Sequence, residues 1–262
     1  MIWISGVHMT KKFKIQFVII FIILSFSLVI AGNDTSYEQN SRESNNKNTI
    51  TMTERLKSTG NTGILLLIVS IAGLSFLLER SFNLRSNKII PNGLTQNVKI
   101  LWKEQQYNSI VQLCKKKQST FSRVIELLVE NRNLKTNAVS TITGDLASRE
   151  MKMHLHKSYP LAVIATISPL IGLFGTVYGM IGAFETVAIA GEMGNPAIMA
   201  ESISYALMTT AIGLIIAVPA LAAYHFFRTR TNIYSISLEE EASELISEWF
   251  IKRENGNESA NK

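Results

Sequence analysis

Two threonines offer the most chemistry in this chain, and both stand in its least polar stretches. Thr176 lies in SPLIGLFGTVYGMIG (168–182) and Thr210 in ALMTTAIGLIIAVPALAAYHFF (206–227). A hydroxyl donates one hydrogen bond and accepts two, so in an apolar setting it can hold a water or relay a proton. It can equally bond back onto its own helix. The surroundings of each threonine are therefore informative. At about 100° per residue, Gly172, Gly175, Gly179 and Gly182 fall on one narrow face, joined by Ala165, Ser168, Thr176, Ala183 and Thr186. Leu170, Leu173, Phe174, Val177, Tyr178, Ile181 and Phe184 take the rest of the surface. In the second stretch Ala206, Thr209, Gly213, Ala217 and Ala220 share a face with Ser202, and Thr210 lies on its flank. Glycine costs a helix interior about 1 kcal/mol against alanine, and proline about 3. Such losses suit a segment whose thin face lets another helix approach closely, as small residues do between membrane helices. Two tightly packed helices with no further role are the plainer reading, and the threonines tilt it toward a proton path.

The elements that must position these residues are membrane spans. The 262-residue chain concentrates its apolar residues in four blocks: 17–31, 63–78, 159–184 and 206–227. About 20 apolar residues cross a bilayer core. The last two blocks reach that length free of Asp, Glu, Lys and Arg; the second ends at Glu79–Arg80, which are expected to snorkel. The first block follows Lys11, Lys12 and Lys14 and closes on Ala31–Gly32, the pattern of a cleaved signal peptide over 1–32, with a retained extra span as the other reading. The fold expected is all-α: a polytopic membrane helical protein with three transmembrane helices, extended into a cytoplasmic helical bundle.

Charge sets the topology. Between Arg80 and Lys157 stand 14 Lys and Arg against 5 acids, whereas the connection 185–201 carries three acids and no base. The positive-inside rule then places 80–157 and 228–262 in the cytoplasm. The expected order is a disordered periplasmic segment at 33–61, spans at 62–79, 158–186 and 202–227, and a periplasmic turn at 187–201. The basic pI of about 9.4 is thus topological and implies no nucleic acid. Helical periodicity recurs in the cytoplasmic stretch, with a break around 115–119, and again past Arg228, where Leu238, Ala242, Leu245, Trp249 and Phe250 form a stripe beside five glutamates.

Other chemistries find no support. Cys114 is the single cysteine, which excludes an internal disulfide and a thiolate metal cage; it reads as a small buried hydrophobe. His154 and His156 are two apart, a poor spacing for one helical face, and Lys115–Lys117 reads as a solvated run. No nucleophile, phosphate loop or His/Cys/carboxylate cluster converges, so neither an enzyme nor a cofactor is expected. The span interiors also lack Asp, Glu, Lys, Arg and His, and intramembrane charges usually mark ion paths. If protons cross, the titrating carboxylate must come from another chain.

The run ISPLIGLFGTVYGMIGAF followed by ALMTTAIGLIIAVPALAAYHFF resembles the paired transmembrane motifs of the MotA/TolQ/ExbB proton channel family, nearest its ExbB and TolQ branch. The resemblance covers about 62–227. It implies a homopentamer in the bacterial inner membrane around a pore that holds the single-span helices of an ExbD/TolR-type partner carrying the essential Asp. It implies too that proton flow there delivers work through a TonB-like or TolA-like protein, for biopolymer transport or envelope maintenance. On that pattern Thr176 and Thr210 match the threonines facing the partner's Asp, and Gly172, Gly175, Gly179, Gly182, Ala206, Gly213 and Ala217 pack the helices. One departure stands out: the branch often has Glu five residues before the second threonine, where this chain has Tyr205, and Glu201 one turn earlier is the candidate replacement at the outer mouth. A Mot-type stator and a non-conducting membrane scaffold are the alternatives. A cleaved N-terminus would count against the stator, and intact proton flow after threonine removal would favour the scaffold.

Overall fold

The computed structural model describes residues 60–190 and 196–251, apart from the side chains of 60–61, 190, 196–198 and 201. The signal-peptide expectation at 1–32, most of the segment 33–61 and the centre of the turn 187–201 lie outside the described residues. The described chain is all-helical: α1 (Gly60–Asn83), α2 (Ser86–Ile89), α3 (Leu94–Lys103), α4 (Tyr107–Lys116), α5 (Thr120–Glu130), α6 (Thr136–His156), α7 (Tyr159–Ala190) and α8 (Pro196–Ile246), which closes on a π-helical turn (Ser247–Ile251). Among these, α1, the α6–α7 stretch and α8 are long and apolar enough to cross a membrane. Pro160 sits in the first turn of α7, where no backbone bond is lost. Pro169 and Pro219 lie inside α7 and α8.

The chain divides into two units, 1–78 with 160–224 and 79–159 with 225–262. In the first, α1, α7 and α8 share a core of Leu66, Ile164, Ala165, Ile216 and Ala220, flanked by Val69, Ala72, Ile171 and Ile212. Their outward faces stay apolar: Leu170, Phe174, Tyr178, Phe184, Leu207 and Val218 are all exposed. Water penalises such a surface, whereas lipid or neighbouring helices do not.

The second unit has a core of large apolar side chains. Here α5 packs on α2, α4 and α6, and Leu94, Val98, Ile110, Phe121, Ile125, Leu128 and Leu238 are fully buried. The break expected around 115–119 falls between α4 and α5, where Ser119 takes extended backbone and its Oγ accepts the Ser122 amide at 3.0 Å, an N-cap. Gly93 starts α3 from the left-handed region, with φ of 75°. Cys114 is buried as expected, and desolvation pushes its thiol up to about 12, so it stays a neutral hydrophobe.

The stripe past Arg228 covers α3. Trp249 stacks on Trp102 with centroids 4.0 Å apart and planes 3° from parallel. Along the same edge Thr95 donates to Glu241 at 2.6 Å, Lys99 pairs with Glu244 and, at 3.2 Å, with Glu248, and Lys103 reaches Glu248 at 3.7 Å. The bond to Glu244, ahead of that to Glu248, holds the Lys99 ammonium above its usual range.

Arg80 departs from the sequence expectation. It does not snorkel: it is 1% exposed. Its Nε and Nη2 donate to the two Glu79 carboxylate oxygens at 2.8 and 3.2 Å, and its Nη1 donates to the His154 carbonyl at 3.2 Å. With acceptors for three of its N–H groups inside the domain, the guanidinium has no need of solvent. His154 in turn shares a 3.2 Å hydrogen bond with Thr120, a structural role, and no group of three metal-ligating side chains occurs among the described residues.

Candidate functional site: the α7–α8 seam

Along one side of α7 and the facing side of α8 the two backbones nearly touch. A Cβ placed on Gly172 would stand 2.9 Å from both the Thr209 carbonyl oxygen and the Thr210 Cα. One on Gly213 would stand 2.6 Å from the Ser168 carbonyl oxygen, and one on Gly179 would lie 2.8 Å from the Ala206 Cβ. At Gly175 the space is already filled by the Thr209 side chain. These residues are glycine because the opposing atoms at Gly172 and Gly213 are main chain, which cannot rotate away. Ala206 and Ala217 are 4% and 6% exposed and complete the seam.

Gly182 is the exception. It shares the predicted face, yet nothing lies within 4 Å of its would-be Cβ. Angular position alone assigns it to the seam, but among the described residues nothing stands opposite it within that distance. Tyr205 is half-buried on α8, and the Glu201 side chain lies outside the described residues.

The threonines divide sharply. Thr176 is buried, and its hydroxyl donates to Leu173 O at 2.7 Å on its own helix. Thr166, Thr186 and Thr231 likewise back-bond within their helices. Thr209 is 2% exposed, and its one hydroxyl proton lies between two acceptors, Ala206 O at 2.7 Å on its own helix and, across the seam, Gly172 O at 3.2 Å. Thr210 stands apart: its Oγ1 is buried and has no partner within the described residues. Sequence reasoning placed Thr209 on the small-residue face but assigned it no role. Its only signal was that position, one residue from Thr210.

Chemically, the seam is uncharged among the described residues and holds one unsatisfied hydroxyl, that of Thr210. It can accept or donate a hydrogen bond at Thr210 but cannot itself bind and release a proton at neutral pH, having no titratable group.

Three apolar helices, two of them sorted by side-chain size and joined through glycine, define a polytopic helical membrane protein. Residues 113–240 match the model of the MotA/TolQ/ExbB proton channel family. The chain is 40% identical over 86 residues to the biopolymer transport protein ExbB of Salmonella typhimurium, covering 33% of this chain and 35% of that protein. It is 41% identical over 85 residues to ExbB of Neisseria gonorrhoeae (32% and 38%) and 40% identical over 89 residues to the Tol-Pal system protein TolQ of Haemophilus influenzae (34% and 37%). The matches span about a third of the length of these relatives. Over residues 113–240, which run from the end of α4 into α8, the chain is similar to the MotA/TolQ/ExbB proton channel family, and the relatives it resembles are ExbB and TolQ proteins.

Proposed function

We propose that the protein is the channel subunit of a proton-driven machine in the bacterial inner membrane, working with an ExbD/TolR-type single-span partner that supplies the membrane carboxylate. The observation that carries this reading is the buried, unpartnered Thr210 hydroxyl. Buried polar groups are nearly always hydrogen-bonded, and Thr210 stands in a span with no charge of its own. Thr210 as a residue is only half-buried, so rotation about its Cα–Cβ bond turns the hydroxyl outward to a carboxylic acid on a neighbouring helix, or to a water bound to it, which supplies the proton site this chain's described spans lack. Thr176, on the facing helix of the same small-residue seam, lines the opposite side of the path. On this reading several copies, a homopentamer by the resemblance, surround the partner. Their exposed apolar faces meet lipid and each other, and 80–157 and 228–262 lie in the cytoplasm. The relatives' names point to biopolymer transport or a Tol-Pal-type envelope function, with work passed to a TonB-like or TolA-like protein.

The test is proton uptake into vesicles that hold the purified complex of this chain and its single-span partner, loaded with a pH-sensitive dye and driven by a potassium diffusion potential. Thr176→Val with Thr210→Val is expected to abolish uptake while leaving the complex assembled. Wild-type uptake by the double variant would refute the proton path and leave the scaffold reading.

A further inference from the structure

Thr209 is the threonine of α7 and α8 whose hydroxyl reaches from one helix to the other, 3.2 Å from Gly172 O. Its acceptor has a particular place. In an α-helix the carbonyl of residue 172 receives the backbone N–H of residue 176. One oxygen therefore sits between the Thr176 main chain and the Thr209 side chain, while the next residue, Thr210, presses its Cα against Gly172.

We propose that Thr209 is a positioning residue for the proton path. Its hydroxyl, bonded to the Gly172 carbonyl, fixes the register of α8 on α7 and so sets where the free Thr210 hydroxyl stands relative to Thr176. The physical need is plain. A face of glycine and alanine is smooth, and lipid supplies no hydrophobic drive to prefer one register over another. Two features resist slippage here: the Thr209 side chain seated in the gap left by Gly175, and the directional bond to Gly172 O. The methyl contributes only to the first and the hydroxyl to both. The same proton has a nearer acceptor on its own helix, Ala206 O at 2.7 Å, so the Gly172 carbonyl takes the longer branch of a shared bond, and that branch is the one that senses the neighbouring helix.

The inference rests on the proton-path reading of Thr176 and Thr210, and its test separates the two. In the same vesicle assay, the Thr176→Val/Thr210→Val complex runs beside Thr209→Val, which keeps shape and removes the donor, and Thr209→Ser, which keeps the donor. Thr209→Val is expected to assemble at wild-type level and to lower proton uptake about 5-fold, the factor matching loss of one interhelical hydrogen bond. Thr209→Ser should retain at least half of wild-type uptake, a rescue that a purely space-filling role would not give. Wild-type uptake with Thr209→Val, or equal losses with Val and Ser, overturns the positioning role. If Thr209→Val does not assemble, uptake per assembled complex is compared between Thr209→Ala and Thr209→Ser: equality overturns the role, and a deficit confined to Ala supports it. Should wild-type and the double threonine variant take up protons equally, the proposed function itself fails, whatever Thr209 does.

Discussion

The two units of this chain solve the same problem, holding helices together, with opposite materials. In the unit of 79–159 and 225–262 the interior is bulky: Phe121, Ile125, Leu128 and Leu238 fill it, and the Trp102–Trp249 stack with lysine–glutamate pairs closes its edge. In the unit of 1–78 and 160–224 the closest contacts are made by what is missing. Gly172, Gly175, Gly179 and Gly213 let the helices approach closely, while Leu170, Leu173, Phe174, Val177, Tyr178 and Phe184 of α7 stay exposed. The contrast follows from solvent. Water rewards burial of large apolar surface at roughly 25 cal/mol per Å². Lipid gives no such reward, so association relies on close packing and interhelical hydrogen bonds. A substitution that enlarges a residue should thus be worst in the first unit, and one that truncates a residue or uncouples a charge should be worst in the second.

The largest expected effect tests that contrast at its sharpest point. Gly175→Leu drives a branched side chain into the Thr209 side chain and is expected to abolish accumulation of the folded protein in the membrane, measured by quantitative immunoblot and detergent size exclusion. Gly182→Ala, on the same helical face with open space around it, should leave the fold intact and favour the helix by up to about 1 kcal/mol. If Gly182→Ala leaves the monomer folded but lowers the assembled oligomer, Gly182 packs against another copy, and the small-residue face extends beyond this chain's own seam.

Next comes the buried cation of the second unit. Arg80→Met keeps an apolar stem but removes the partner of Glu79 and the donor to His154 O. Arg80 is buried but Glu79 is 43% exposed, so no buried charge is left behind, and losing the hydrogen bonds of the guanidinium is expected to cost about 2 kcal/mol. Thermal unfolding of the full chain in detergent, followed by circular dichroism, should show it. Adding Glu79→Gln should change little, since the carboxylate left behind reaches solvent. If the second change makes matters worse, the pair is not what holds the arginine inside.

Much of this architecture was legible from the sequence, and the reasons are physical. The three spans follow from run length, and the size sorting of α7 and α8 follows from the 3.6-residue period, because both depend only on neighbours along the chain. The break before Thr120 and the apolar stripe ending at Trp249–Phe250 were legible for the same reason. What eluded sequence reasoning depends on a second element. Gly182 has the right angle but, among the described residues, nothing within 4 Å opposite it, and Thr209 meets a carbonyl on α7. Arg80 is held by the backbone oxygen of a residue 74 positions away, an acceptor every residue possesses and no sequence pattern marks.

A smaller effect is expected from the aromatic closure of the second unit. Trp102→Leu and Trp249→Leu should each destabilise, and their double-mutant cycle should return a coupling of about 1 kcal/mol, the part of a stacked pair beyond its buried area. A coupling near zero would mean that Trp249 merely fills space, and the charged edge would then have to hold the end of α8 on α3.

That edge gives the smallest effect, and pH isolates it. The Lys99 ammonium is held above its usual range by Glu244 and then Glu248. A lysine whose folded-state affinity for the proton is raised contributes stability that is complete below its unfolded value, near 10.5, and is lost as pH climbs through the folded one. The Cys114 thiol, pushed up to about 12 by burial, destabilises in the same alkaline window, because the unfolded thiol ionises first. Comparing wild type with Lys99→Met cancels that contribution, since both retain Cys114. At pH 8 and low salt Lys99→Met should be less stable by under about 1 kcal/mol, as for other partly exposed pairs. The gap should shrink at 1 M salt and narrow as pH climbs above 10.5 through the folded-state value. A gap that neither salt nor rising pH narrows would show that the lysine stem, packed along α3 and α8, matters more than its charge.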